Sequence, residues 1–413
     1  MESIIITIGD ELLIGQVINT NVAYIAKQLN NVGVEVKRAL TVGDDEEEIL
    51  KSFKEGFEQF DIVLVTGGLG PTHDDITKKA ICKFFNTDLV TNEEALDNIK
   101  RLMQQRNIGW TKAAEEQALV PRGATVIPNK HGTAPGALIE RDHKYFIVMP
   151  GVPYEMESMV DKFVVPFFQK KSRGKVVLHR TLNTTGIAES FLAERLGNLE
   201  ELLGDAKLAF LPSPSGVRLR ITMVGNDRGL CESTIKQIEL QIRVKVGKYI
   251  YGSDDETLEE VVGKLLAERK LKLAIAESCT GGMIAHRITN VPGSSNYFER
   301  GVVVYSNQSK VELLGIPQET IVVHGAVSKE VAQAMASGVR RIANTDIGIS
   351  TTGIAGPTGG TPEKPVGLVW IGFSDSKETI ALKFHLGDQR LRVKERASQA
   401  ALEMLRRKIL KIE

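Results

Sequence analysis

The sequence is poor in everything that marks a secreted, membrane-borne or fibrous chain. Its 413 residues hold 3 cysteines, Cys82, Cys231 and Cys279, far apart and in no CxxC pair. That excludes a disulfide framework and argues against a thiolate zinc site. A reducing, cytoplasmic compartment is the expectation. No stretch approaches the ~18 apolar residues of a spanning helix. The start, Met1-Glu2-Ser3-Ile4, has no basic n-region, and its apolar run stops at Gly9-Asp10-Glu11. We therefore expect neither a signal peptide nor a membrane partner. An excess of one charge is also missing, since 52 Lys+Arg stand against 52 Asp+Glu. A balanced chain argues against a nucleic-acid coat protein, though not against a local basic patch. There is no internal repeat and no low-complexity tract.

What is present is an ordinary globular composition, 42% hydrophobic and 25% charged, in a chain long enough for two or three domains. Ile4–Ile8, Val34–Leu40 and Asp61–Thr66 read as buried strands. Helices alternate with them: one capped by Asn19-Thr20 and stopped by Gly33, one opened by the acidic run Asp44–Glu48, and one from about Asp74 to Phe85. This rhythm predicts a parallel sheet covered on both faces. Tyr145–Met149 reads as a late strand, after which Pro150-Gly151-Val152-Pro153 opens a helix to about Gln169. The polar run Lys170–Lys175 is a first boundary, and Tyr251–Asp255 a second. Between them lies a small α+β pattern of strand, helix, two strands and helix. Beyond them alternation restarts, with strands at Leu271–Ala276, Val302–Tyr305 and Asp346–Thr351, a hairpin from Val366–Phe373 and Thr379–Leu386, and a closing helix capped by Asp388.

In an open parallel sheet, ligands sit beyond the carboxyl ends of the strands. The first strand ends in Gly9-Asp10-Glu11, and the third in Gly67-Gly68-Leu69-Gly70-Pro71-Thr72-His73-Asp74-Asp75. Glycines there let backbone N–H groups approach an anion, and the next helix adds a favourable dipole. Four carboxylates, Asp10, Glu11, Asp74 and Asp75, fall on the same edge. Carboxylates repel phosphate unless a hard cation lies between them, so the pattern suggests a metal-bridged phosphoryl or pyrophosphate site. The plainer reading stands beside it: Asp74 or Asp75 as an N-cap, Asp10-Glu11 as a solvated turn, His73 as structural. These residues, with Asn19-Thr20-Asn21, Gly132-Thr133-Ala134-Pro135-Gly136 and Pro150–Met156, resemble the molybdenum-cofactor-biosynthesis-type domain of the CinA family. The resemblance implies an ADP-ribose pyrophosphatase using Mg, Mn or Co. It implies Gly67, Gly68, Gly70, Thr72 and Thr133 as substrate-binding residues and the four carboxylates as metal ligands. Thr133 and Gly136 would then line the same crevice, though a structural turn accounts for either one equally well.

A second constellation closes the strand Leu271–Ala276, which runs into Glu277-Ser278-Cys279-Thr280-Gly281-Gly282 before a helix. A hydroxyl at a helix N-terminus lies near N–H groups that can stabilise an oxyanion. No histidine is placed to activate it, His286, His324 and His385 being scattered. A buried lysine with a tyrosine can serve instead, and Tyr305 and Lys310 follow the next strand. Thr352-Gly353-Ile354-Ala355-Gly356-Pro357 adds another glycine-rich turn. The rival readings are Ser278 as a cap, Cys279 as nucleophile or core residue, Lys310 as a solvated helix residue and Arg392 as part of a wet face. Together with Pro292-Gly293-Ser294-Ser295 and Gly325-Ala326-Val327-Ser328, these motifs resemble the CinA C-terminal domain, a family that includes nicotinamide-nucleotide amidohydrolases. The resemblance implies hydrolysis of nicotinamide mononucleotide to nicotinic acid mononucleotide and ammonia without a cofactor. Ser278 would be the nucleophile and Tyr305 with Lys310 the proton-transfer pair, while Thr280, Gly281, Thr352, Gly353 and Arg392 would hold substrate. One departure is visible: Phe298-Glu299-Arg300-Gly301 stands where the family is usually richer in glycine.

The family's middle region resembles a KH module, yet no G-x-x-G loop occurs between Lys175 and Ile250, which counts against RNA binding. The expected architecture is therefore α/β in three parts. These are a three-layer molybdopterin-binding-like domain over 1–169, a KH-like α+β linker over 175–250 and an α/β amidohydrolase domain over 254–413. The expected protein is a bifunctional nucleotide-salvage hydrolase acting on small nucleotides as a homodimer. Its alternatives are a non-catalytic molybdopterin- or nucleotide-binding protein linked to competence, or a nucleic-acid-binding module.

Overall fold

The computed structural model describes residues 1–70, 76–107, 109–171 and 176–412. The chain divides into two compact units, Met1–Leu178 with Val224–Glu232, and His179–Met223 with Ser233–Glu413. Among the described residues no helix is long and apolar enough to cross a membrane.

The first unit is built on a six-stranded sheet. In the strand Glu2–Ile8, Ile4, Ile6 and Ile8 share one buried face with Phe53, Ile81 and Phe146, while Ile5 faces Ile25, Leu29 and Met156 on the other. A strand apolar on both faces belongs inside a three-layer α/β/α stack. Glu2–Ile8 pairs in parallel with Glu35–Val42 on one side and Ile62–Thr66 on the other, and Ile62–Thr66 in turn with Lys144–Met149. The sheet is not parallel throughout, as the opening rhythm suggested. Gly136–Arg141 and Thr125–Ile127 extend it antiparallel. The caps at Asn19 and Asp45 form, their side chains accepting the N–H groups of Val22 and Glu48. The helix after the glycine turn instead starts at Thr77, with Ile76 as its cap. The helix after Val152 is also less regular than expected: a π-helical turn, Val160–Val164, separates Pro153–Met159 from Val165–Lys171.

In the middle segment, the sheet order is Lys207–Ser213, Gly216–Gly225, Val176–Thr184, Ile250–Ser253. The first helix of the expected pattern is broken at Gly197, whose φ of 75° is left-handed, into Glu189–Leu196 and Leu199–Leu203. Beyond it, a five-stranded sheet runs Phe298–Val303, Leu273–Glu277, Ile347–Gly353, Leu368–Ser374, Thr379–His385. Its first three strands are parallel and its last two antiparallel. Leu273 and Ile275 face helices Leu258–Glu268 and Arg390–Leu410, whereas Ala274 and Ala276 face Lys329–Ala343. This is again a three-layer stack, with both parallel loop ends opening on one rim.

Candidate active sites

At the rim of the second unit, the amide of Ser278 donates to Thr351 O at 3.0 Å, fixing the strand end against its parallel neighbour. Lys310 sits one turn into the helix Asn307–Leu314, which Ser306 caps. That turn folds the lysine back beneath the strand ends, where it is 1% exposed. Its Nζ lies within hydrogen-bonding reach of Ser278 Oγ at 3.3 Å, Val304 O at 2.9 Å, Tyr305 O at 3.3 Å and Ser306 O at 3.4 Å. Burial holds the lysine pKa below its ordinary 10.5. Cys279 is also buried, and burial pushes its thiol up to about 12. A thiol so rarely ionised is a core residue rather than a nucleophile.

The helix N-terminus beside Ser278 is not available as first expected. The next helix begins only at Met283, and its leading amides are already taken. Glu277, 1% exposed, accepts from Gly282 N, Ile284 N and Ala285 N at 2.9, 3.2 and 2.8 Å. Of the intervening turn, the amide of Gly281 donates to Ser278 O, while those of Cys279 and Thr280 reach no carbonyl among the described residues.

The groups inferred to hold substrate behave unequally. Thr280 is fully buried with its hydroxyl on Thr351 Oγ1 at 2.7 Å, and the hydroxyl of Thr352 donates to Ala326 O at 2.7 Å. Both hydroxyls brace the rim instead of facing outward. Gly281 is exposed with a φ of 61°, and a Cβ there would stand 3.5 Å from Lys394 Nζ. Gly353 ends its strand where a Cβ would meet Leu368 O at 2.6 Å. Arg392 is exposed and has no partner among the described residues. Its neighbour Arg390, one of the helix's basic run to which the sequence assigned no role, donates to Tyr305 OH and Gly356 O, both at 2.9 Å. The closing helix has Gln389, not Asp388, as its cap, and no side chain caps it. Tyr305 is 59% exposed, its phenol held by Arg390 and its carbonyl by Lys310. Glu277, Arg390 and Lys394 are the additions here. The only sequence signal was the position of Glu277 before Ser278 and of the basic residues at the start of the closing helix.

The rim of the first unit is built around glycines that nothing larger could replace. A Cβ on Gly67 would lie 2.1 Å from Ile8 O, and one on Gly68, at a φ of 63°, would lie 2.1 Å from Thr77 Oγ1. Gly151 closes over the turn, a Cβ on it standing 3.3 Å from Gly67 Cα. Asn21 pins the crevice by donating to Thr66 Oγ1 and Gly151 O at 3.2 and 2.8 Å. Two buried acceptors flank the turn without partners among the described residues, Asn21 Oδ1 and Thr77 Oγ1. Gly70 is exposed at the end of the described stretch. Thr72, His73, Asp74 and Asp75 lie outside the described residues. Thr133 lines a different cavity, of ≈ 290 Å³, with Asn98, Arg101 and Lys130. Gly136 is a strand residue packed against Val148 O.

The carboxylates only partly fit a metal. Asp10 Oδ1 accepts from Asp44 N at 3.2 Å, while Asp44 Oδ2 accepts from Asp10 N at 3.0 Å. Glu11 folds back on Gly9 instead. Oxygen donors suit hard cations, but two carboxylates turned to different neighbours do not close a shell. No cluster of three or more acidic, histidine or cysteine ligands occurs among the described residues.

Three family models match the chain in order. They are the probable molybdopterin binding domain over residues 4–170, the damage-inducible protein CinA KH domain over 179–252, and the CinA C-terminal domain over 255–409. A CinA-like protein of Chloroherpeton thalassium is 46% identical over 411 residues, covering 97% of this chain and 98% of its own. The chain belongs to the CinA family. Another family member, from Caldicellulosiruptor saccharolyticus and named for competence-damage induction, is 45% identical over 406 residues, 98% of each chain. A CinA superfamily structure from Klebsiella pneumoniae shares 31% identity and covers 37% of this chain and 96% of its own, with a TM-score of 0.37. The three-part α/β organisation, with a molybdopterin-binding-like first domain and a KH-like middle, is thus that of CinA proteins.

Proposed function

We propose that this CinA-family chain is a hydrolase whose C-terminal site deamidates nicotinamide mononucleotide. The observation that carries the reading is the buried Lys310 Nζ, 3.3 Å from Ser278 Oγ. As the neutral amine, Lys310 takes the Ser278 proton while Oγ attacks the amide carbon. The oxyanion meets the amides of Cys279 and Thr280. When the tetrahedral intermediate collapses, the C–N bond breaks and Lys310 returns the proton to the leaving nitrogen, which departs as ammonia. Water then hydrolyses the acyl-serine by the same relay, regenerating Ser278. Tyr305, with its phenol on Arg390, is assigned to proton transfer beside Lys310. Lys394, Arg390 and Arg392, at an uncapped helix N-terminus, supply the positive field a mononucleotide phosphate requires. Ammonia release, compared between wild type and Ser278→Ala, tests the reading. Undiminished release in the variant removes Ser278 as nucleophile.

For the N-terminal half we propose hydrolysis of ADP-ribose to AMP and ribose 5-phosphate, with the pyrophosphate over Gly67-Gly68 and a divalent cation held by Asp10, Glu11, Asp74 and Asp75. The two buried acceptors beside the turn that have no partner among the described residues support a ligand there. The reciprocal tie between Asp10 and Asp44 favours a second reading, a turn that binds a pterin or nucleotide without turnover. AMP formation that requires Mn²⁺ and stops with EDTA selects the enzyme, whereas binding without turnover under Mg²⁺, Mn²⁺ or Co²⁺ selects the second reading. Ammonia release should continue in EDTA under either. Assembly as a cytoplasmic homodimer remains part of the proposal.

A further inference from the structure

The closing helix, Arg390–Leu410, carries a second feature two turns past Arg390. Within the second unit, its outer face meets the strand Thr379–His385 and the hairpin tip at Ser213–Gly216 around a cavity of ≈ 500 Å³. That volume suits a small organic molecule. The wall is mainly apolar, with Ile187, Val217, Leu382, Phe384, Ala400 and Met404 contributing. None of Ser278, Tyr305, Lys310 or Arg390 lines it.

The charges around this wall do not balance. Glu403, 6% exposed, accepts from Arg406 Nε and Nη2 at 2.7 and 2.8 Å and from Arg407 Nε at 2.6 Å. Arg406 has its remaining donors on Lys248 O and Ile250 O. Arg396, also in the wall, donates to Leu386 O at 3.1 Å and pairs with no carboxylate among the described residues. Of the two guanidinium groups in the wall, Arg407 meets the carboxylate of Glu403 and Arg396 meets none among the described residues, a local surplus of one positive charge. A surplus at the mouth of a low-dielectric cavity favours an anion whose remainder is apolar.

We propose that this cavity is a second ligand site, taking a small organic carboxylate with an apolar body, its head on Arg396 and its body against Phe384, Ala400 and Met404. The proposal does not depend on the activity assigned to either rim.

Octanoate, titrated calorimetrically into the full chain, is the probe. One saturable site is expected, with 1-octanol of the same length bound about tenfold more weakly or worse for lack of the charged head. Arg396→Gln should weaken octanoate by a similar factor and leave octanol unchanged. Ala400→Phe, which fills the cavity, should abolish both, its fold checked by thermal melting. Equal binding of acid and alcohol overturns the proposal. So does wild-type octanoate binding by Arg396→Gln, or no saturation below about 10 mM, a range that still spans weak small-molecule affinities.

Discussion

Replacing Lys310 with methionine keeps the length and burial of the side chain and removes its nitrogen. The surroundings of Nζ set the expected outcome. Four acceptors surround it at 2.9 to 3.4 Å, and an ammonium has three protons. As an ammonium it can satisfy the carbonyls of Val304, Tyr305 and Ser306 with nothing left for Ser278. As an amine it has two protons for carbonyls and a lone pair free to face Ser278 Oγ. Only the amine can act as base, so kcat/KM should climb with pH through a pKa below 10.5. Stability runs in the same direction. The folded-state pKa is depressed, so the cost of charging Lys310 is fully present below that pKa and is relieved as pH rises through it toward 10.5. Lys310→Met loses the base, worth roughly 10²- to 10⁴-fold in rate, or about 3 to 5 kcal/mol of barrier. Its stability should change far less. Losing bonds to three carbonyls costs about 1 kcal/mol each, offset by no longer burying a charge. The assay is ammonia release from nicotinamide mononucleotide between pH 6 and 10, beside a urea titration. A variant within tenfold of wild type, or a wild-type profile flat across that range, refutes Lys310 as the base.

Three other substitutions separate support from chemistry. Glu277→Gln keeps the shape but turns an NH₂ toward the amides of Gly282, Ile284 and Ala285, and should cost about 2 kcal/mol or more in a thermal melt, the scale of buried donors left unpaired. Cys279→Ala should keep ammonia release within a few-fold, and wild-type Cys279 should resist iodoacetamide at pH 8, four units below its pKa of about 12. Rapid alkylation that stops turnover would instead make the thiol the nucleophile. Gly68→Ala places a Cβ 2.1 Å from Thr77 Oγ1 at a φ of 63°, and should cost about 1 to 3 kcal/mol and remove ADP-ribose binding, with ammonia release intact.

Strand ends were the legible part of the chain. Ile4–Ile8 and Leu271–Ala276 announce buried strands by their apolar runs, and the glycines after them mark where backbone must approach something closely. That logic put Ser278 and Lys310 on one rim across 32 residues of sequence. Helix phase was not legible. The closing helix is capped by Gln389 rather than Asp388, and residues two apart on a helix point about 200° away from each other. Arg390 therefore reaches Tyr305 and Gly356, while Arg392 is left in solvent. Glu277 was missed because its partners belong to a helix that begins six residues later, and an acid at the end of a buried strand carries no pattern of its own. The edge strand Thr125–Ile127 escaped because it is three residues long, too short for a period-two signal.

The two rims differ in how completely their polar groups are satisfied, and that difference can be tested without knowing a substrate. Around Ser278, the hydroxyls of Thr280 and Thr352, the carboxylate of Glu277 and the amine of Lys310 all have partners. Around Gly67-Gly68, Asn21 Oδ1 and Thr77 Oγ1 have none among the described residues. An unmet buried group costs about 1 to 3 kcal/mol, which a fold recovers only when something else meets it. Thr77→Val removes the unmet hydroxyl at almost constant shape, the residue being fully buried. The ligand-free variant should therefore be more stable than wild type by about 1 kcal/mol, a rise in Tm of roughly 2 to 4 °C for a domain of this size. If the hydroxyl serves the bound nucleotide, ADP-ribose should raise the Tm of wild type by more than that of the variant, because a ligand stabilises in proportion to its affinity. A variant less stable than wild type would show that Thr77 already has a partner within the fold. A variant that is more stable yet equally shifted by ADP-ribose would place the nucleotide away from Thr77.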